Sequence, residues 1–133
     1  MTAKEAKDFL YFEARMIQDY RERVQHLREG FRRSSDLCAA PVQGGVYGDK
    51  VSWVVGEIER LEGLMQGHIE RVWASLVFLD TPSQRDVVRL RYLDFFGHKD
   101  VWGDIALEMK YSEPHVKRMH GQSLILIAQK VSS

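Results

Sequence analysis

The sequence is short of several things, and each shortage removes a class of function. There is a single cysteine, Cys38. One thiol closes no disulfide within the chain and has no ligand spacing with any histidine, so it reads as a bystander in a reducing compartment. No charge is in excess: 19 basic residues face 19 acidic ones, which argues against a protein that coats nucleic acid indiscriminately. No apolar run approaches the about 20 residues of a membrane span. The opening MTAKEAKDF carries no apolar h-region. A cytoplasmic protein with no membrane partner is expected.

Catalytic signatures are missing too. The five histidines are His26, His68, His98, His115 and His120, and no two stand four apart around a carboxylate as a zinc helix requires. His115 and His120, five apart on one helix, do not converge on one ligand. Gly44-Gly45 invites a phosphate-loop reading, but no Lys-Ser/Thr follows and no strand precedes it. There is no dinucleotide fingerprint and no local Ser, His and acid set. No enzyme, no metal and no cofactor is expected.

Proline is scarce, and its three positions fall at boundaries. Residues 3 to about 32 run without Pro or Gly until Gly30. In that run Phe9, Phe12, Met16, Tyr20, Val24, Leu27 and Phe31 recur at spacings of three and four, which predicts a long amphipathic helix with a mixed charged outer face. Arg28, Arg32 and Arg33 read as its charged C-terminal end. Residues 34–49, with Pro41 and three glycines, predict a long, partly irregular connection. From Lys50 to Leu79 a second stripe follows: Val51, Val54, Val55, Ile58, Leu61, Leu64, Met65, Ile69, Val72, Trp73, Leu76 and Leu79. Two such helices make an antiparallel hairpin, a coiled-coil-like arm over residues 1–80. The second stripe is wide enough to serve the first helix and something more: a second subunit, the C-terminal helices, or both.

Thr81-Pro82 restarts the chain as an N-cap and first helical residue. A third helix is expected from Ser83 to about Phe95, with Val87, Leu90, Tyr92 and Phe95 inward. Arg85, Arg89 and Arg91 lie along it; Arg91 either reaches a phosphate or pairs with an acidic neighbour. Gly97 to Asp100 is a turn, with Asp100 the N-cap of the next helix.

The stretch from Val101 to Ile127 has the densest pattern. Trp102, Ile105, Ala106 and Met109 share one helical face. Lys110-Tyr111 forms a turn, Ser112 stands at an N-cap, and Pro114 lies in the first turn of a helix, where it costs no hydrogen bond. Val116, Met119 and Ser123 or Leu124 run down that helix, and residues 131–133 are expected to fray. Two short helices joined by a tight turn, apolar where they face, form a helix-turn-helix. Ala106 is small where the helices cross, and Ile105, Met109, Tyr111, Val116 and Met119 would plug the corner. The turn often needs a positive φ, for which glycine is the usual residue; Lys110 stands there instead. Opposite the apolar stripe lie Pro114, Lys117, Arg118 and Gly121, flanked by Glu113, His115 and Gln122. Such a face suits the DNA major groove. Residues 81–133 carry 8 basic and 6 acidic groups, against 3 and 6 in residues 41–80, so the modest positive charge sits with this motif.

The run from Val87 through Phe96 and Val101 to Ile127 resembles the C-terminal half of phage-encoded late-gene transcription activators of the RinA and ArpU type. It is similar also to an uncharacterised phage family of like layout, and all of these resemble region 4 of sigma-70 factors. The matching pieces are Arg91-Tyr92, Trp102 to Ala106, Tyr111-Ser112, His115 to Arg118 and His120-Gly121. The resemblance implies an all-α fold: a long helical hairpin at 1–80, then a three-helix, sigma-70 region 4-like helix-turn-helix domain at 81–133. It implies a DNA-binding transcription regulator acting at a phage promoter in the host bacterial cytoplasm. The expected site is Ser112, Glu113, Pro114, His115, Lys117, Arg118 and Gln122. The expected partners are double-stranded DNA and a second copy of the chain, with RNA polymerase or a sigma factor behind them. The alternative is a helical protein-interaction module that binds a sigma factor, RNA polymerase or a phage assembly component. A weaker third reading is a DNA-recognising phage packaging subunit.

Overall fold

The computed structural model describes residues 1–37 and 44–132. Among these the regular structure is entirely helical: α1 (Ala3–Leu37), α2 (Gly44–Leu76), α3 (Pro82–Arg89), α4 (Val101–Met109) and α5 (Glu113–Ser132). A π-helical turn, Leu90–Asp94, continues α3. No helix among the described residues is long and apolar enough to cross a membrane.

α1 and α2 run antiparallel. Glu13 near the start of α1 meets His68 late in α2, and Arg28 pairs with Glu62 at 2.5 Å. Four of the expected boundaries move. α1 continues to Leu37 and α2 begins at Gly44, so much of the expected 34–49 connection is helix; Cys38 and Pro41 lie outside the described residues. A glycine inside a helix costs only about 1 kcal/mol, and Gly44 and Gly45 occupy a first turn, where the backbone is least constrained. α2 in turn stops at Leu76. Beyond it, Val77, Phe78 and Leu79 donate to carbonyls three residues back, which tightens the last turn and ends the helix. At the other end α5 reaches Ser132 rather than fraying at 131: the Met1 ammonium donates to Ser132 Oγ at 2.6 Å and Lys130 pairs with Asp80 at 2.6 Å.

The inward face of α1 is not the aromatic one. Ala6, Leu10, Ala14, Ile17 and Val24 are buried, whereas Phe9 is half-buried and Phe12 is 56% exposed. At 100° per residue the core face lies roughly a quarter-turn from the expected stripe. The cause is coverage by several elements: α2, α5 and the π turn all pack against α1. Ala6 and Ala14, buried in the same core, are small enough to let these neighbours approach. On α2, Leu61, Val72 and Leu76 are buried, but Trp53 (63%), Trp73 and Leu64 remain exposed on its flanks.

Two cores result. The larger joins Ala6, Leu10, Ala14 and Ile17 of α1 to Val72 and Leu76 of α2, to Val88 and Tyr92, and to Leu124, Ile127 and Ala128 of α5. The smaller is built from Val87, Leu90, Ile105, Val116 and Met119, with Phe95, Trp102, Ala106 and Met109 against it. The boundary at residue 80 falls in the turn between α2 and α3, and the larger core runs across it. α5 belongs to both cores, the first half to one and the second half to the other. The π turn, closed by Phe95 N–H donating to Leu90 O at 2.8 Å, inserts the extra residue that aims Leu90 at one core and Tyr92 at the other.

Candidate nucleic-acid interface

The site is assembled from caps outward. Asp100 caps α4 by accepting from Gly103 N–H at 3.3 Å. A Cβ on Gly103 would stand 2.2 Å from Asp100 Oδ2, so the glycine is what lets the carboxylate reach its own helix. α4 ends at Lys110, which adopts the left-handed conformation, φ 60 and ψ 39. No other non-glycine residue among those described has positive φ. Tyr111 N–H closes the turn on Ala106 O at 3.1 Å. Ser112 then starts α5: its Oγ accepts from His115 N–H at 3.4 Å and its carbonyl from Val116 N–H at 3.0 Å.

That geometry brings the expected surface residues together on the first half of α5. Ser112, Glu113, Pro114, Lys117, Arg118 and Gln122 are exposed and His115 is half-buried, while Val116, Met119 and Ser123 point into the protein. Lys117 pairs with Glu113 at 3.4 Å across one turn, an exposed pair worth about 0.3–0.5 kcal/mol. Arg118 has no ion pair or hydrogen bond among the described residues. The positive end of the helix dipole lies at this end of α5, where the N–H groups of His115 and Val116 are already bonded to Ser112.

Tyr111 does not plug the corner. It is 43% exposed and sits edge-on to His115, ring centroids 4.8 Å apart. With Lys110 left-handed, the chain turns the tyrosine outward. Trp102 packs against the smaller core and meets His120 edge-on at 5.0 Å. Two of the three arginines preceding the motif are engaged within the fold. Arg85 donates to Leu79 O at 3.0 Å, and Arg89 is engaged by Asp86 and Asp94, so both tie the fold together. Arg91 pairs with no acid among the described residues; its guanidinium lies over the rings of Tyr92, Phe96 and Trp102 at 5.3 to 5.8 Å.

Behind the exposed face lies a polar contact that sequence reasoning did not single out. His120 is buried and bonds through Nε2 to the Tyr92 hydroxyl at 2.7 Å. Burial, then the charges of Arg91 and Lys7, lower the His120 pKa to about 4. Burial raises the Tyr92 phenol to about 12, against a smaller opposing effect of Arg91. The signal was present: His120 stands four residues after Val116, on the buried stripe.

No family model, curated protein or solved structure matches the chain. What the site can do therefore follows from its own chemistry. Among the described residues no group of three His, Cys, Asp or Glu side chains is placed to hold a metal ion. The exposed half of α5 offers donors, one unpaired cation and a helix N-terminus on a rigid two-helix corner. Those are the requirements for holding an anionic, hydrogen-bonding surface.

Proposed function

We propose that the protein is a sequence-specific, double-stranded-DNA-binding transcription regulator. In this reading α4, the Lys110 turn and α5 form a sigma-70 region 4-like helix-turn-helix, and the antiparallel pair α1–α2 is a hairpin arm. The observation that carries it is the left-handed turn at Lys110 followed by an exposed α5 face bearing Lys117, Arg118, His115 and Gln122. A residue with a Cβ is held in αL at a cost of about 1 kcal/mol, and the gain is a fixed crossing of α4 and α5 that presents the second helix outward.

α5 enters the major groove. Arg118 and Lys117 contact bases or phosphates, and His115, Gln122 and Glu113 meet base edges. Ser112 and the Glu113 N–H hold a backbone phosphate; Pro114, which lacks an N–H, packs against the groove wall. One such helix reads few base pairs, so a homodimer on two half-sites is the working form, with the α1–α2 arm joining the copies. The resemblance to phage late-gene activators adds the setting: a promoter in the cytoplasm of a bacterial host, with RNA polymerase or its sigma factor as the recruited partner.

The test is selection of bound duplexes from a random library, followed by a mobility shift of the recovered sequence with competitor. A common motif, shifted by wild type and lost in Lys117→Glu/Arg118→Glu, supports the reading. A folded protein that enriches no sequence contradicts it. The exposed Trp53, Leu64 and Trp73 favour a second reading, a helical module that binds a protein partner. There a complex with polymerase or sigma factor survives the double charge reversal and is lost in Trp53→Ala/Trp73→Ala.

A further inference from the structure

A cavity of about 260 Å³ opens between α1 and the turn that leads into α4. Tyr11, Arg15, Gln18, Arg91, Gly97 and His98 line it, and no carboxylate does. None of the lining residues belongs to α5, so the cavity is separate from the face proposed to read DNA.

Arg91 is the unusual member. Its Nε is buried with no hydrogen-bond partner, and the whole guanidinium has no ion pair or hydrogen bond among the described residues. The three rings around it stabilise the charge across the face of the group. They accept nothing from its N–H edge, which carries five donors. Of these the Nε–H is the one buried without an acceptor, which is rare in folded proteins. Arg15 adds a second permanent charge; its carboxylate neighbour is Asp19, at 3.9 Å and well exposed. His98, which lines the cavity, bonds through Nδ1 to the Asp104 carboxylate at 2.8 Å. Gly97, at φ +91, leaves the space that the Gln18 amide fills: a Cβ there would stand 2.6 Å from Gln18 Nε2.

We propose that this cavity is a binding site for a phosphoryl anion, held by the guanidiniums of Arg91 and Arg15 with the Gln18 amide as a further donor. A carboxylate presents two oxygens, whereas a phosphoryl group presents three to donors arriving from α1 on one side and from the π turn on the other. The source is either a small phosphate ester or a backbone phosphate of a nucleic acid lying across the turn.

The experiment follows the Arg91 Nε–H resonance by NMR during titration with AMP and, separately, inorganic phosphate, at constant ionic strength. The expected result is a saturable shift of that resonance, with binding weakened about tenfold or more in Arg15→Gln. Arg15 is exposed, so this variant keeps the fold even if Arg91→Lys does not. No saturable shift, or equal affinity in wild type and Arg15→Gln, would overturn the proposal. A short duplex in the same two proteins identifies the source. Weaker duplex binding in Arg15→Gln assigns the site to a backbone phosphate; unchanged duplex binding with weakened AMP binding assigns it to a small ester. If no duplex binds at all, the DNA-binding reading fails while the AMP result stands on its own.

Discussion

The hydroxyl of Tyr92 and the imidazole of His120 meet at 2.7 Å inside the protein, joining the π turn to the middle of α5. This bond holds the helix that carries the exposed site against the helix that precedes the motif. Because burial and the Arg91 charge hold His120 neutral down to about pH 4, the folded protein takes up no proton there in mildly acidic solution, whereas the unfolded chain does so below its ordinary value of 6.5.

The sign follows from linkage. The unfolded state binds more protons between about pH 6.5 and 4, so stability is full above 6.5 and falls as pH drops through that window, by up to about 3 kcal/mol. Urea midpoints measured from pH 7 to 4.5 are expected to fall more steeply in wild type than in His120→Gln. Parallel slopes would remove His120 from the account. Tyr92→Phe leaves the imidazole nitrogen unpaired and is expected to cost about 1–2 kcal/mol at pH 7.

Lys110→Gly is expected to stabilise the protein by roughly 0.5–1 kcal/mol, since glycine adopts φ 60 without a Cβ penalty. Part of the gain is offset by the greater freedom of glycine in the unfolded chain. Thermal melts decide it: a lower midpoint in the variant would mean that the lysine side chain contributes more than its backbone costs.

Glu13 is buried on α1, with His68 at 2.5 Å and Arg71 at 3.5 Å, both from α2. His68→Leu strands the carboxylate beside a half-exposed arginine and is expected to cost about 3 kcal/mol. Replacing both partners, Glu13→Leu/His68→Leu, is expected to recover most of that loss, because an apolar pair needs no compensation. A double variant no more stable than His68→Leu in denaturant titrations would count against a direct pairing.

What was legible in the sequence was local. Thr81, Asp100 and Ser112 cap the helices they precede, since a cap is chosen by residues within three positions of it. The left-handed turn at position 110 was legible for the same reason, as were Ile105 on α4 and Val116 and Met119 on α5, all inward. The inward face of α1 was not. Phe9, Phe12 and Met16 dominate a hydrophobicity pattern, but which face is covered depends on where α2 and α5 pack against α1, and the alanines that admit them carry little weight in such a pattern. Tyr111 was misplaced because its direction depends on the αL residue before it. The rings of Tyr92, Phe96 and Trp102 around Arg91 were not legible, since only the fold brings them together.

The central claim is that the exposed half of α5 binds DNA, and fluorescence anisotropy on a duplex recovered by selection tests it most directly. Wild type and Lys117→Glu/Arg118→Glu are titrated at about 50 and 200 mM salt, the range over which phosphate contacts weaken steeply. The account predicts tight binding at low salt and a large loss at high salt. It predicts that the variant, still helical by circular dichroism, loses at least about tenfold in affinity and has a shallower salt dependence. Equal affinity and equal salt dependence in the two proteins would contradict it.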